Sequence, residues 1–351
     1  MVISMKVLHV LNTGYYSGAE NVVITLIHTI EGQVECAYAS PYGPIEEILK
    51  EEKIQYFPMT SKAVNANELK RIISAYKPDL IHTHDFNAGV MTCLTGTEIP
   101  IINHLHNNTP WLQTFCLKSL VYFASCVRYK KILTVSNSVM EEFIFGKWLK
   151  KKSQVVGNPI NLEKIRRKAM AENLINEQSD VIFLGRLSPP KRPVFFLEII
   201  AETVKTIPNI KVAMVGNGEL QEEVEAKIQD LKLEKNVKLY GFQKNPYGLL
   251  MASKVMCMPS AWEGFGLAAV EAMAFGKPVV AAPVGGLQEI VTNSAGKKCN
   301  TLKEFQDELV ALLTDTDYYV QKANAAMSRA NEYDNSVQYA ERICQIYNSL
   351  A

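Results

Sequence analysis

The stretch VMCMPSAWEGFGLAAVEAMAFGKPVVAAP, residues 255–283, decides the fold. It opens on an apolar run, VMCMPS (255–260), turns through Glu263, Gly264 and Gly266, continues with helical spacing to Phe275, and closes on a second apolar run, KPVVAAP (277–283). Continuous rather than alternating apolar runs mark strands covered on both faces. Strand, helix, strand in that order means a parallel pair. The two acids in the stretch need a reason. Glu and Asp are rarely buried without a partner, yet Glu271 is followed by Ala272, Met273, Ala274 and Phe275, which read as core. A polar group must meet that carboxylate.

The same alternation extends in both directions. Short apolar runs followed by turns and helical spacing recur at 6–11, 35–40, 79–84, 100–106, 131–136, 180–186, 210–216 and 236–241. A boundary falls near Gly157, Asn158 and Pro159, where KIRRKAMAENLINEQ (164–178) reads as a charged helix with no strand before a new series starts at Asp180. The expected fold is α/β, with two doubly wound parallel-sheet domains, 1–158 and 159–325, facing a cleft. The tail is helical in pattern and interrupted near Asp334 and Asn335.

Bulk properties agree with this division. At 351 residues the chain exceeds what one core usually supports. A net charge of +1 argues against nucleic acid as a partner. The seven cysteines occur singly with no C-x-x-C pair, which suits reduced thiols in a cytosol. The start, MVISMKVLHVLNTG, reads as a first strand rather than a signal peptide. No run reaches the ~20 apolar residues of a membrane span, and FCLKSLVYFASCV (115–127) reads as an amphipathic helix. Between Lys118 and Lys152 stand eight basic residues against two acidic ones, Glu141 and Glu142. Such a run is either a solvated surface or a patch for an anionic membrane or pyrophosphate lipid, at about 1 kcal/mol per charge.

In open parallel sheets ligands bind at the carboxyl ends of the strands. Polar and glycine residues gather at those ends, including Gly18, His84 and His106, Ser136, Gly185, Arg186 and Lys191, Gly216, Gly241 and the 263–266 turn. Gly264 and Gly266 allow a tight turn before a helix start, an arrangement suited to a diphosphate. In FLGRLSPPKRP (183–193) two cations leave a strand tip, Arg186 able to bind two oxygens at once and Lys191 acting as a point charge. Rival signals are weaker. Asp315-Thr316-Asp317 resembles a metal-binding DxD motif but sits where a helix cap is expected. VGNGEL lacks the third glycine of a dinucleotide fingerprint, Gln221 standing in its place. His82, His84, His104 and His106 form two H-x-H pairs, in which His82 and His104 read as strand positions rather than metal ligands.

Taken together, the C-terminal half resembles the retaining, nucleotide-sugar-dependent glycosyltransferases of family four, which have the GT-B fold. The matching residues are GRLSPPK (185–191), VGNGEL (215–220), the E-x7-E pair Glu263 and Glu271, and GKPVVAAPVGGLQEIV (276–291). SGAE (17–20), PDLIHTHD (78–85), HLHNN (104–108), VSNSV (135–139) and VGNPIN (156–161) carry a looser likeness in the N-terminal half. The resemblance implies an acceptor-binding first domain, a donor-binding second domain, and a C-terminal helix (326–351) returning to the first. It implies that Arg186 and Lys191 neutralise the departing diphosphate. Glu271 would hold ribose hydroxyls and Glu263 sugar hydroxyls. Phe265, Gly266 and Leu267 would offer amides beside Gly264, with Gly185 and Gly216 lining the donor site and Gly241 and Phe242 facing the base. Gly18 would approach the diphosphate and His106 the reacting sugar, with Ser17, His84, Asn107 and Ser136 on the acceptor side. Ser17 stands where the family often has a glycine.

The implied activity is transfer of a hexose or N-acetylhexosamine from a UDP-sugar to a sugar or lipid-linked acceptor in surface polysaccharide or glycolipid synthesis. No metal and no other cofactor is expected. The expected location is the cytoplasm, at the inner face of the membrane. The alternatives are a GDP-mannose-dependent mannosyltransferase and a GT-B epimerase or hydrolase.

Overall fold

The computed structural model of the chain describes residues 5–170 and 178–350. It divides into two compact units, Met1–Pro159 with Asn335–Ala351, and Ile160–Asp334. The first unit is built on seven parallel strands, β1 (Met5–Val10), β2 (Val34–Pro41), β3 (Gln55–Met59), β4 (Leu80–His84), β5 (Ile101–Leu105), β6 (Tyr129–Thr134) and β7 (Ser153–Val155), in the order β3-β2-β1-β4-β5-β6-β7. The second holds six, β8 (Ser179–Leu184), β9 (Val212–Val215), β10 (Val237–Gly241), β11 (Ser253–Met258), β12 (Val279–Ala281) and β13 (Gly296–Lys298), in the order β10-β9-β8-β11-β12-β13. These are two Rossmann-like doubly wound sheets, as the alternation of runs predicts.

The central strands are read correctly, together with β10 at one edge. β9 and β12 are buried at every residue, which is the environment that makes a run continuously apolar. The three strands absent from the sequence reading, β3, β7 and β13, all lie at sheet edges. One side of an edge strand meets solvent, so QYFPM, SQV and GKK carry polar residues and no two-sided apolar signal.

In each sheet the first strand has neighbours on both sides, β1 between β2 and β4, and β8 between β9 and β11. The strand order reverses there, which opens a crevice at the carboxyl ends of the two diverging strands.

The tail divides differently from its reading. Helix Thr316–Asn331 stays in the second unit, with Ala326 and Ala330 in that unit's core, so this unit extends to Asp334 rather than 325. Its start is capped by Asp315, whose side chain accepts the Tyr318 N–H at 2.9 Å, as the cap reading of Asp315-Thr316-Asp317 requires. Only helix Ser336–Asn348 belongs to the first unit, where Tyr339, Ile343 and Tyr347 pack on Val7, Leu26 and Leu80. Helix Leu162–Met170 opens the stretch read as charged and helical, and residues 171–177 of that stretch lie outside the described residues. All seven cysteines are free. Among the described residues no helix is long and apolar enough to cross a membrane.

Candidate active site

In the second unit the crevice lies between the loops that follow β8 and β11, and these loops carry the two strongest sequence motifs. After β8 the chain turns through Gly185 and Arg186 into a short 3-10 turn, Pro189–Lys191. The Lys191 stem runs back over Gly185, its side-chain carbons 3.7–3.8 Å from where a Cβ would stand. This brings Lys191 Nζ to 2.5 Å from Glu263 Oε2, in the loop after β11. Ser260 Oγ donates to the same oxygen at 3.4 Å. Both side chains are mostly buried, at 25% and 13% exposure. Arg186 is more open, its Nε 3.8 Å from Glu219 Oε2. Two predicted site residues are therefore bonded to each other across the strand reversal, while the third points to a different, exposed acid.

Glycine is required where these loops meet. Gly216 has φ +135°, and a Cβ there would stand 2.0 Å from the Gly185 carbonyl oxygen. Gly216 N–H donates to the Gly241 carbonyl at 2.8 Å, so the tips of β8, β9 and β10 are stitched backbone to backbone. Gly266, at φ +103°, is the N-cap of helix Leu267–Met273. The Gly286 N–H reaches the Gly264 carbonyl at 3.2 Å, and a Cβ on Gly286 would stand 2.2 Å from the Phe265 carbonyl oxygen. Phe242 follows Gly241 and is half exposed.

Glu271 lies in helix Leu267–Met273 and has the polar partner its surroundings demand: Tyr247 donates its hydroxyl to Oε1 at 2.9 Å. Burial raises its pKa above the ordinary glutamate value, and the Tyr247 hydrogen bond and the charge of Lys168 hold it down in part. Neither tyrosine nor lysine was singled out in the sequence, since each comes from a distant segment.

In the first unit the equivalent crevice lies between β1 and β4. Ser17 and Gly18 open helix Gly18–Thr29 after β1, and the Ser17 hydroxyl donates to Glu20 Oε2 at 2.5 Å, with Thr13 Oγ1 on Oε1 at 3.2 Å. Glu20 is buried, which raises its pKa. His84, the last residue of β4, is the middle of a chain of imidazoles: His9 Nδ1 meets His84 Nε2 at 3.1 Å and His84 Nδ1 meets His106 Nε2 at 2.9 Å. The backbone N–H of His106 donates to Asp85 Oδ1 at 3.1 Å. Asp85 has φ 68° and its carboxyl is pushed up to about 7 by burial. Glu20, buried, and Asp85, partly buried, are absent from the predicted site; only the fold reveals that desolvation raises both carboxyls.

Burial lowers His9 and His106 to about 3 and pushes His82, His84 and His104 well below the ordinary value, so all five rings are neutral at pH 7. Two triads, His9, His82, His84 and His84, His104, His106, hold ring nitrogens within 4.8 Å of one another. His82 and His84 stack at 4.3 Å, as do His104 and His106. Within each pair stacked at 4.3 Å the two rings are not hydrogen-bonded to each other, and among the described residues neither nitrogen of His104 has a hydrogen-bond partner. His82 and His104 are strand residues, as read. Asn107 is exposed just past β5, and Ser136 is buried with its hydroxyl 2.8 Å from that of Ser138.

Comparison with known proteins identifies the family and the fold. The family described as Glycosyltransferase Family 4 matches residues 16–164, and that described as Glycosyl transferases group 1 matches residues 165–331. The chain is 24% identical over 342 residues to the UDP-Gal:alpha-D-GlcNAc-diphosphoundecaprenol alpha-1,3-galactosyltransferase of Escherichia coli, covering 87% of this chain and 86% of that one. It is 22% identical to the GalNAc-alpha-(1->4)-GalNAc-alpha-(1->3)-diNAcBac-PP-undecaprenol alpha-1,4-N-acetyl-D-galactosaminyltransferase of Campylobacter jejuni, over 95% of each. Its fold matches that of Anabaena HepE in complex with UDP-glucose at a TM-score of 0.85, with 23% identity over 99% of this chain and 100% of that one, which makes the architecture GT-B. With the two halves matched in tandem from residue 16 to residue 331, the chain belongs to the family-four glycosyltransferases.

Proposed function

We propose that this glycosyltransferase moves a hexose or N-acetylhexosamine from a UDP-sugar to a sugar or lipid-linked acceptor in surface polysaccharide synthesis, with retention at the anomeric carbon and no metal at the diphosphate. The observation that carries the reading is the Lys191–Glu263 contact at the strand reversal of the second sheet, where a cation and an acid are held ready on adjacent loops. Relatives whose names specify undecaprenol-diphosphate sugars support the acceptor class, and neighbours solved with UDP and UDP-glucose support the donor.

Each residue then has a task. Lys191 and Arg186 take the negative charge that builds on the β-phosphate oxygen as its bond to the sugar breaks. Glu263 accepts hydrogen bonds from sugar hydroxyls in exchange for part of its bond to Lys191. Glu271, steadied by Tyr247, accepts from the ribose. The acceptor oxygen bonds to the anomeric carbon on the face that UDP leaves, and its proton passes to the departing phosphate oxygen. On the first domain, Gly18 is assigned to the diphosphate, His106 to the reacting sugar, and Ser17, His84, Asn107 and Ser136 to the acceptor.

The test is UDP release from UDP-glucose, UDP-galactose and UDP-N-acetylgalactosamine, with and without an undecaprenyl-diphosphate sugar, in EDTA and in excess Mg²⁺. Release that requires acceptor and survives EDTA is the expected result. Turnover without acceptor would reassign the protein as a hydrolase or epimerase, and turnover only with GDP-mannose would change the donor.

A further inference from the structure

Helix Leu117–Ser125 is inside out. Its buried residues are Ser119, Tyr122 and Ser125, while Leu117, Leu120 and Val121 face solvent. The inward polar groups are all used. Ser119 Oγ donates to the Cys116 carbonyl at 2.8 Å, Tyr122 donates its hydroxyl to Asn103 Oδ1 at 2.7 Å, and Ser125 Oγ lies 2.9 Å from the Tyr129 hydroxyl. The orientation is thus set by satisfied hydrogen bonds, and the outward apolar face is the consequence. Around it the exposure continues: Phe115 at 71%, Leu117 at 76%, Val127 at 78% and Trp148 at 70%. Phe123, Phe145 and Trp148 form a ring cluster with centroids 4.6–6.3 Å apart, so Trp148 is carried on an aromatic base. A contiguous exposed surface of this kind marks an interaction site.

The charge around the patch says what covers it. Lys118 lies on the helix itself, Lys147 and Lys150 bracket Trp148, and Lys130 and Lys151 lie nearby in the chain; all are exposed, and none is in an ion pair among the described residues. Lys152 is different: its Nζ donates to the carbonyls of Cys126, Val127 and Tyr129, each at 3.1 Å, so it is a structural cap and no part of a free surface. A second copy of this chain would bring the same lysines face to face and be repelled. We propose that this patch docks on an anionic lipid bilayer, with Leu117, Leu120, Val121 and Trp148 entering the headgroup and acyl boundary and the lysines meeting acidic headgroups. The surface stands on its own exposures and charges and does not depend on the transferase reading.

Flotation with vesicles of phosphatidylglycerol and phosphatidylcholine, without donor or acceptor, reads it directly. The chain is expected to float with phosphatidylglycerol-rich vesicles, to stay down with pure phosphatidylcholine, and to release in high salt. Leu120→Gln with Val121→Gln lowers partition at least tenfold with only a modest loss of thermal stability, because the two residues are 37% and 44% exposed. Lys118→Ala and Lys150→Ala each lower it about fivefold at low salt. Lipids brominated along their chains quench fluorescence that Trp148→Phe removes. A chain that stays in the supernatant with phosphatidylglycerol vesicles overturns the proposal, as does partition that the Leu120 and Val121 changes leave intact. A dimer that those changes dissociate, with no vesicle binding in the parent chain, reassigns the patch to self-association.

Discussion

Lys191 Nζ and Glu263 Oε2 lie 2.5 Å apart, joining the loops after the first and fourth strands of the second sheet. If the pair serves the donor diphosphate and sugar, Lys191→Ala lowers kcat by about 10², on the scale of losing one preorganised donor. Glu263→Gln keeps the shape and removes the charge, so it is expected to raise KM for the donor and lower kcat together. Because the two side chains are in contact, the double variant loses less than the sum of the singles. Steady-state UDP release separates these effects, and near-normal turnover in Lys191→Ala would remove the pair from the chemistry.

Tyr347 and His82 are far apart in the chain and 2.6 Å apart in space. The Tyr347 hydroxyl serves His82 Nδ1, and among the described residues His82 Nε2 has no hydrogen-bond partner. Tyr347→Phe leaves a fully buried imidazole with neither nitrogen paired and costs about 1–3 kcal/mol. The loss is expected first in the C-terminal helix, as faster hydrogen exchange and proteolysis over Ser336–Asn348. Equal protection of that helix in both proteins would show that apolar packing alone secures it.

The buried imidazoles make stability depend on pH. His9 and His106 have folded values lowered to about 3 against about 6.5 unfolded, so their contribution is complete above pH 6.5 and is lost as pH falls toward 3. At pH 5 each has given up about 2 kcal/mol, and the three other rings, also lowered, add to the loss. Asp85, raised to about 7, works in the opposite sense and offsets about one histidine over the same range. Urea midpoints are expected to drop steeply between pH 7 and pH 5, and a flat profile would mean that the rings take up protons in the fold.

Two glycines at positive φ give a controlled contrast. Gly32, at φ +81°, has nothing within 4 Å of an added Cβ, so Gly32→Ala costs only the backbone strain, about 1–2 kcal/mol. Gly216 combines positive φ with a Cβ site 2.0 Å from the Gly185 oxygen. Gly216→Ala is expected to cost roughly 3 kcal/mol or more, from strain and overpacking together. Denaturant unfolding of the two variants compares them, and equal losses would show that the Gly185 loop yields.

Sequence periodicity determined that this chain folds as two parallel α/β units, because central strands buried on both faces are mostly apolar, and runs such as VMCMPS and KPVVAAP alternate with helical spacing. Position at strand ends was legible for the same reason, since the chain turns polar where it leaves the core, at Lys191, Glu263 and His84. The edge strands QYFPM, SQV and GKK left no such mark. Tertiary structure decided the partnerships: Tyr247 for Glu271, Tyr347 for His82, Lys152 for three carbonyls, and the inverted face of helix Leu117–Ser125. It also decided which acids lose their water, Glu20 and Asp85 among them. Apolar burial is a property each segment carries in its own composition, whereas a hydrogen bond or a desolvated charge exists only between segments, and nothing in either one records the other.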